Sequence, residues 1–263
     1  MKLRVVLLII LGSIIAYYCY KRREPFEQME VLDSETPNNW ITEFIDKVFV
    51  IALPNRKNSI LNTLKSVGII PEVYDAYLKK NVTKDKPELI KSGFLDKDYT
   101  VSESRIACHY SHIQVLKKFL EDRNAETCLI FEDDLEIPIS EKELKIVFKS
   151  IKDTSDKIVW DVINLGRCWD HCEDINYSIG MLVKSPHSQC RHAYIVSRKG
   201  AQIMVDQAVP MKHKPGDNMI AKLNTEGKLE YFGTKEQIFK QARALYGSSL
   251  NNPLRSPPTC HTG

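Results

Sequence analysis

Leu129-Ile130-Phe131-Glu132-Asp133-Asp134-Leu135 sets the architecture of this chain. An apolar run beginning at Cys128 ends in three consecutive acids. A continuous hydrophobic run reads as a strand buried on both faces, and ligands of open α/β sheets bind outside the carboxyl ends of such strands. Three carboxylates there repel one another unless a positive charge is shared among them. A divalent cation takes hard oxygen ligands and keeps positions for substrate phosphates. The stretch therefore reads as a metal–diphosphate site, or else as a solvated acidic turn.

The flanking sequence alternates strands and helices. Lys47 to Leu53 is a buried strand, 54–58 a turn, Ser59 to Val67 a helix ending at Gly68, and Glu72 to Tyr77 a second strand. That order predicts a parallel βαβ unit. Residues 79–101 read as a charged connection with a short helix near 87–92. Ser102 to Glu121 is the clearest helix, with Ile106, Tyr110, Ile113, Leu116 or Lys117, and Leu120 at spacings of three and four. Ser102 is an acceptable N-cap. After the acids come a helix at 141–151, a strand at 160–165, a long irregular stretch at 166–188, a strand at 192–197, helices at 198–209 and 217–226, and a strand at 228–232. This is the pattern of a nucleotide-binding α/β sandwich.

Charge and hydropathy bound the setting. The chain has 263 residues and a net charge of +3, but residues 1–23 carry five positives and no acid, leaving −2 on the rest. With no basic stripe interleaved with aromatics, nucleic acid is excluded as a partner. Val5 to Tyr20 is uncharged and mostly apolar. As a helix it spans roughly 24 Å, slightly short of a bilayer core, and Arg4 and Lys21 can snorkel. The tyrosines near its end make a poor cleavage site, so residues 1–23 read as an uncleaved signal-anchor. The flanking charges nearly balance under the positive-inside rule. Sequons at Asn81 and Asn176, and the cysteines Cys168, Cys172 and Cys190, lean toward a type II protein with its body in the ER/Golgi lumen. Residues 24–44 read as a stem, 45–250 as the domain and 251–263 as an irregular tail.

Three further groupings bear on chemistry. His109 and His112 share a helix face, either near a substrate phosphate or sugar or on a wet face opposite the core. Asp217 is either a general base that takes a hydroxyl proton or an N-cap. Two of Cys168, Cys172 and Cys190 suit a disulfide; the alternative is a zinc site that draws on these cysteines with His171, His187 and His192.

In this order the motifs resemble glycosyltransferase family 25, the lipooligosaccharide and procollagen galactosyltransferase group. The resemblance covers most of residues 47–250. It rests on Val48–Leu53 with Asn55-Arg56-Lys57, Cys108 to His112, Glu132 to Asp134, Asp161 to Gly166, Ala193 to Ala201, and the downstream Asp217, Gln241 and Ser248. Three departures stand out: Ala52 replaces the family's usual asparagine, its second arginine is missing around Asn58–Ser59, and Ala107 replaces a glycine. The resemblance implies a GT-A-type, Rossmann-like α/β domain and a nucleotide-sugar donor, UDP-galactose or UDP-glucose. It also implies Mn²⁺ or another divalent cation, a glycan or hydroxylated-protein acceptor, and inversion at the anomeric carbon. On it, Asp134 and Glu132 hold metal and diphosphate, and Asp133 the ribose or donor sugar. Arg56 and His112 line the donor, and Asp217 is the base. The alternative is a membrane protein of the same fold that binds sugar or nucleotide without turnover.

Overall fold

Residues along the central strands alternate between two hydrophobic cores, because successive side chains of a strand point to opposite faces. In the computed structural model, which describes residues 39–167, 175, 177–187 and 189–242, β1 (Lys47–Ala52) and β3 (Thr127–Glu132) show this directly. Phe49, Ile51, Cys128 and Ile130 face one core, and Val48, Val50, Leu129 and Phe131 the other. The expected anchor at Val5–Tyr20 and the tail 251–263 lie outside the described residues. Among the described residues no helix is long and apolar enough to cross a membrane.

The eight-stranded sheet has the order β2-β1-β3-β8-β5-β9-β7-β6. Its other members are β2 (Glu72–Asp75), β5 (Val162–Asn164), β6 (Ser178–Ile179), β7 (Leu182–Lys184), β8 (Ala193–Ser197) and β9 (Tyr231–Thr234). Pairing directions make β7 and β8 run against the other six. A separate two-stranded ribbon joins β4 (Leu135–Glu136) to β10 (Lys240–Gln241). The architecture is mixed α/β and Rossmann-like.

Helices cover both faces. On one side lie α1 (Lys57–Lys65) and α4 (Glu141–Ser155), which bury Ile60, Leu64, Leu144, Phe148 and Ile151. On the other lie α2 (Lys79–Lys91), α3 (Glu103–Glu121), α5 (Arg198–Gln207) and α6 (Gly216–Thr225). The α4 start is a capping box, in which the Ser140 hydroxyl accepts the Glu143 N–H and the Glu143 carboxylate accepts the Ser140 N–H. Gly200 in α5 lies against β5's approach. A Cβ there would sit 2.4 Å from the Asp161 carbonyl oxygen. Gly200→Ala is expected to destabilise the protein by about 1–3 kcal/mol, the usual range for overpacking. A lower thermal midpoint checks this, and an unchanged midpoint refutes it.

Several sequence expectations are corrected. Residues 79–91 form a 13-residue helix despite Pro87, where a short one was expected. Trp40 and Ile41, assigned to the stem, are buried in a 3₁₀ turn (Trp40–Glu43), with the Trp40 indole N–H donating to the Val67 carbonyl at 2.8 Å. The irregular stretch 166–188 contains the β6–β7 hairpin. Ser102 occupies the N-cap position of α3 without a side-chain cap bond. His109 and His112 do not lie on a wet face of α3; its exposed positions are Lys117 and Glu121. His109, Ser111 and His112 are as buried as Ile106 and Ile113, because α2, α5 and α6 pack around the helix.

Candidate functional site

β1 and β3 are parallel and in register, with Ile51 opposite Glu132, so their carboxyl ends emerge side by side. The turn after β1 therefore meets the acids after β3. Asp133 receives the Leu53 N–H at 2.6 Å and Arg56 Nη1 at 3.2 Å. Its carboxyl lies above the ordinary value because burial outweighs these two donors. Asp133 and Arg56 thus form a braced pair at the mouth of a cleft of about 190 Å³.

Glu132 lies on the inner wall of this cleft. His112 Nε2 is 2.8 Å from its Oε1, and His112 Nδ1 is 3.1 Å from the Tyr194 hydroxyl. A neutral imidazole protonated on Nε2 satisfies both contacts, donating to the carboxylate and accepting from the phenol. Burial, and secondly the charge of Arg191, hold His112 below the ordinary histidine value, consistent with that neutral form. Burial works to raise Glu132, but the bond from His112 prevails and brings it down to about 2. Glu132 is therefore an ionised carboxylate held in place by a buried histidine. Both ring nitrogens of His112 are engaged inside the protein, which turns the expected donor contact into a support for Glu132.

Asp134 follows on the turn into β4. Its backbone carbonyl accepts the Ala242 N–H at 2.6 Å, and its Oδ2 accepts from Gln241 Nε2 at 3.3 Å. Its Oδ1 is buried and finds no partner among the described residues. Burial first, then the charges of Glu132 and Asp133, push its carboxyl up to about 7. A buried carboxylate oxygen without a donor beside two more acids fits a hard divalent cation, which would relieve both the repulsion and the missing contact. Cys108, one helical turn before His112, adds a second set. One ligand atom each from Cys108, His112 and Glu132 lie within 4.8 Å of one another.

Arg56, His112, Glu132, Asp133 and Asp134 all line the one cleft, with Tyr77 and Lys79 opposite. Asp217 does not line it. It stands in the first turn of α6, half-buried, and its Oδ1 accepts the Asn218 N–H at 3.0 Å. The N-cap is Pro215, so Asp217 is not the capping residue. The charge of Asp217 still bears on Cys108 and His112, which places it near the acids without contact. Sequence reasoning missed Cys108, Tyr194 and Arg191 as neighbours of the acids. The four-residue step from Cys108 to His112 was the one legible signal. Cys168, His171 and Cys172 of the zinc alternative lie outside the described residues, and His192 is buried with Nε2 3.0 Å from the Phe239 carbonyl.

Acids at the carboxyl edge of parallel strands, beside a basic turn, stand where ligands of open α/β sheets bind. The family model described as "Glycosyltransferase family 25 (LPS biosynthesis protein)" matches residues 45–220. The chain belongs to glycosyltransferase family 25. No curated protein matches it. Among solved structures, the "Crystal Structure of A197 from STIV" is similar over 71% of this chain and 81% of that one, at 8% identity and a TM-score of 0.33. Likeness at that level carries no argument here.

Proposed function

We propose that this protein transfers a hexose, galactose or glucose, from a UDP-sugar to a hydroxyl of a glycan or protein, with inversion. The observation that supports it most is the Asp134 oxygen that has no partner among the described residues, beside Glu132 and Asp133 in a family 25 domain. Asp134 and Glu132 would hold Mn²⁺ or another divalent cation, which when bound supplies charge neutralisation for the leaving diphosphate. Asp133 and Arg56 fix the nucleotide end of the donor, and the Leu53 N–H keeps Asp133 turned into the cleft. His112 holds Glu132 ionised and oriented. Asp217 takes the acceptor hydroxyl proton from the opposite flank. In this reading the domain is of GT-A type and its body is lumenal behind a type II anchor. A disulfide between two of Cys168, Cys172 and Cys190 belongs to the same reading.

One observation favours the binding-only alternative. Ala52 stands where the family has asparagine, at the end of the strand that presents Leu53 to Asp133. The test is release of UDP from a panel of UDP-sugars by the protein, with Mn²⁺ and with chelator. Manganese-dependent release from one sugar is the expected result. Tight UDP-sugar binding with no release under any condition would establish the alternative.

A further inference from the structure

Arg191, just before β8, is only 7% exposed. Its Nη2 donates to His109 Nδ1 at 3.2 Å, while Nη1 is buried with no partner among the described residues. His109 Nε2 lies 2.8 Å from the Ala208 carbonyl. A carbonyl can only accept, so the proton sits on Nε2 and Nδ1 presents a lone pair to Arg191. Burial and the Arg191 charge both hold this imidazole well below its ordinary value. His109 is thus a neutral prop that aims the guanidinium and adds no compensating charge. The ionised Glu132 feels the Arg191 charge, but the buried Nη1 has no hydrogen-bond partner among the described residues, and an anion reaching it would supply one.

The guanidinium is pressed against a second anion-attracting feature. α6 has ten residues, its N-cap Pro215 makes no side-chain cap bond, and of its first N–H groups Asp217 Oδ1 accepts that of Asn218. A Cβ on Gly216, its first residue, would lie 2.6 Å from Arg191 Nη2 and 2.2 Å from His109 Nδ1. Glycine alone leaves room there. The first N–H groups of a helix lack intrahelical partners and carry its positive dipole end. Arg191 and this helix start therefore converge, the arrangement that binds phosphates and carboxylates in many proteins.

The location separates this feature from the nucleotide cleft. Neither Arg191 nor Gly216 lines that cleft, whereas Arg56 does. Arg191 is next to the helix that carries Asp217, and both charges bear on Cys108 at the cleft wall. With the donor in the cleft, this flank faces the acceptor.

We propose that Arg191 and the α6 N-terminus bind a phosphate or carboxylate group carried by the acceptor. The anion site stands on its own geometry; its assignment to the acceptor rests on the transfer reading above. The test is calorimetric titration of the full chain with inorganic phosphate in chelator, with and without saturating UDP. The wild type should bind one phosphate, with the same affinity in both conditions. Arg191→Gln should weaken binding about 10-fold or more, the size of a lost charge-assisted contact, and Arg191→Lys less so. Without phosphate, Arg191→Gln should melt no lower than the wild type, since the glutamine amide can still donate to His109 Nδ1 while a buried cation whose Nη1 has no hydrogen-bond partner among the described residues is removed. Equal phosphate affinity in wild type and Arg191→Gln, or none in the wild type, overturns the site. Displacement of phosphate by UDP overturns the acceptor assignment and gives the site to the donor diphosphate. Arg191-dependent phosphate binding in a protein that binds no UDP supports the site and counts against the transfer reading. If Arg191→Gln does not fold, Arg191→Lys provides the same comparison.

Discussion

Asp134→Asn should lower manganese-dependent UDP release on the order of 10²–10³-fold or more, the usual loss when a main electrostatic partner of a leaving group is removed. The argument starts from the turn after β3. Asp134 has a buried Oδ1 without a partner among the described residues, and its carboxyl is pushed up to about 7 by burial and by its two acidic neighbours. The same variant has a second readout that needs no metal. In chelator, the native carboxyl keeps its proton to about pH 7, while an unfolded aspartate releases it near pH ~4. Between those values the folded chain binds more protons than the unfolded one, so wild-type stability falls as pH rises through that window. Asparagine does not titrate. The thermal midpoint of Asp134→Asn relative to wild type should therefore climb from pH 4 to pH 7 and level off above. Full UDP release in this variant would remove Asp134 from the site, and a pH-independent difference in midpoint would contradict its buried, proton-holding state.

Asp217→Asn should cut transfer to acceptor by about 10²–10⁴-fold, the range for loss of a general base. Its affinity for UDP in chelator should be unchanged, because Asp217 lies outside the cleft that holds Arg56 and Asp133. The substitution is nearly isosteric, and Asn can still accept the Asn218 N–H that Asp217 accepts now. A folding defect is therefore not expected. Since Asp217 occupies the first helical turn rather than the cap, its stabilising effect is limited to the helix dipole, worth about 0.3–1 kcal/mol. A purely structural role would show as a lower thermal midpoint with normal transfer in the folded fraction. Undiminished transfer would dismiss Asp217 as the base and leave the proton to another group on that flank.

The local pattern was enough for the central part of this protein. Runs such as 128–131 and 48–53 have no polar member to place on a wet face, so they read as strands buried on both sides. The acids must then emerge at a sheet edge, and parallel pairing of β1 with β3 brings Arg56 to Asp133. The antiparallel insertion of β8 between β3 and β5 was not legible, because pairing partners distant in sequence leave no periodic trace. Neither was the length of α2, where tertiary packing of Val82 and Leu89 overrides a poor propensity and an internal proline.

What the sequence alone determined is the strand–helix alternation, the acid-ended strand and the motif order that marks the family, since each depends on residues near one another in the chain. Only the tertiary structure decided which polar groups meet. His112 reads as a donor contact until Tyr194, 82 residues away, and Glu132 occupy its two nitrogens. Arg191 carries no signal in the sequence; its burial against His109 and Gly216, with Nη1 lacking a hydrogen-bond partner among the described residues, is visible only in the fold. Burial and long-range contact set the protonation and the role of such groups, and neither is encoded in local spacing.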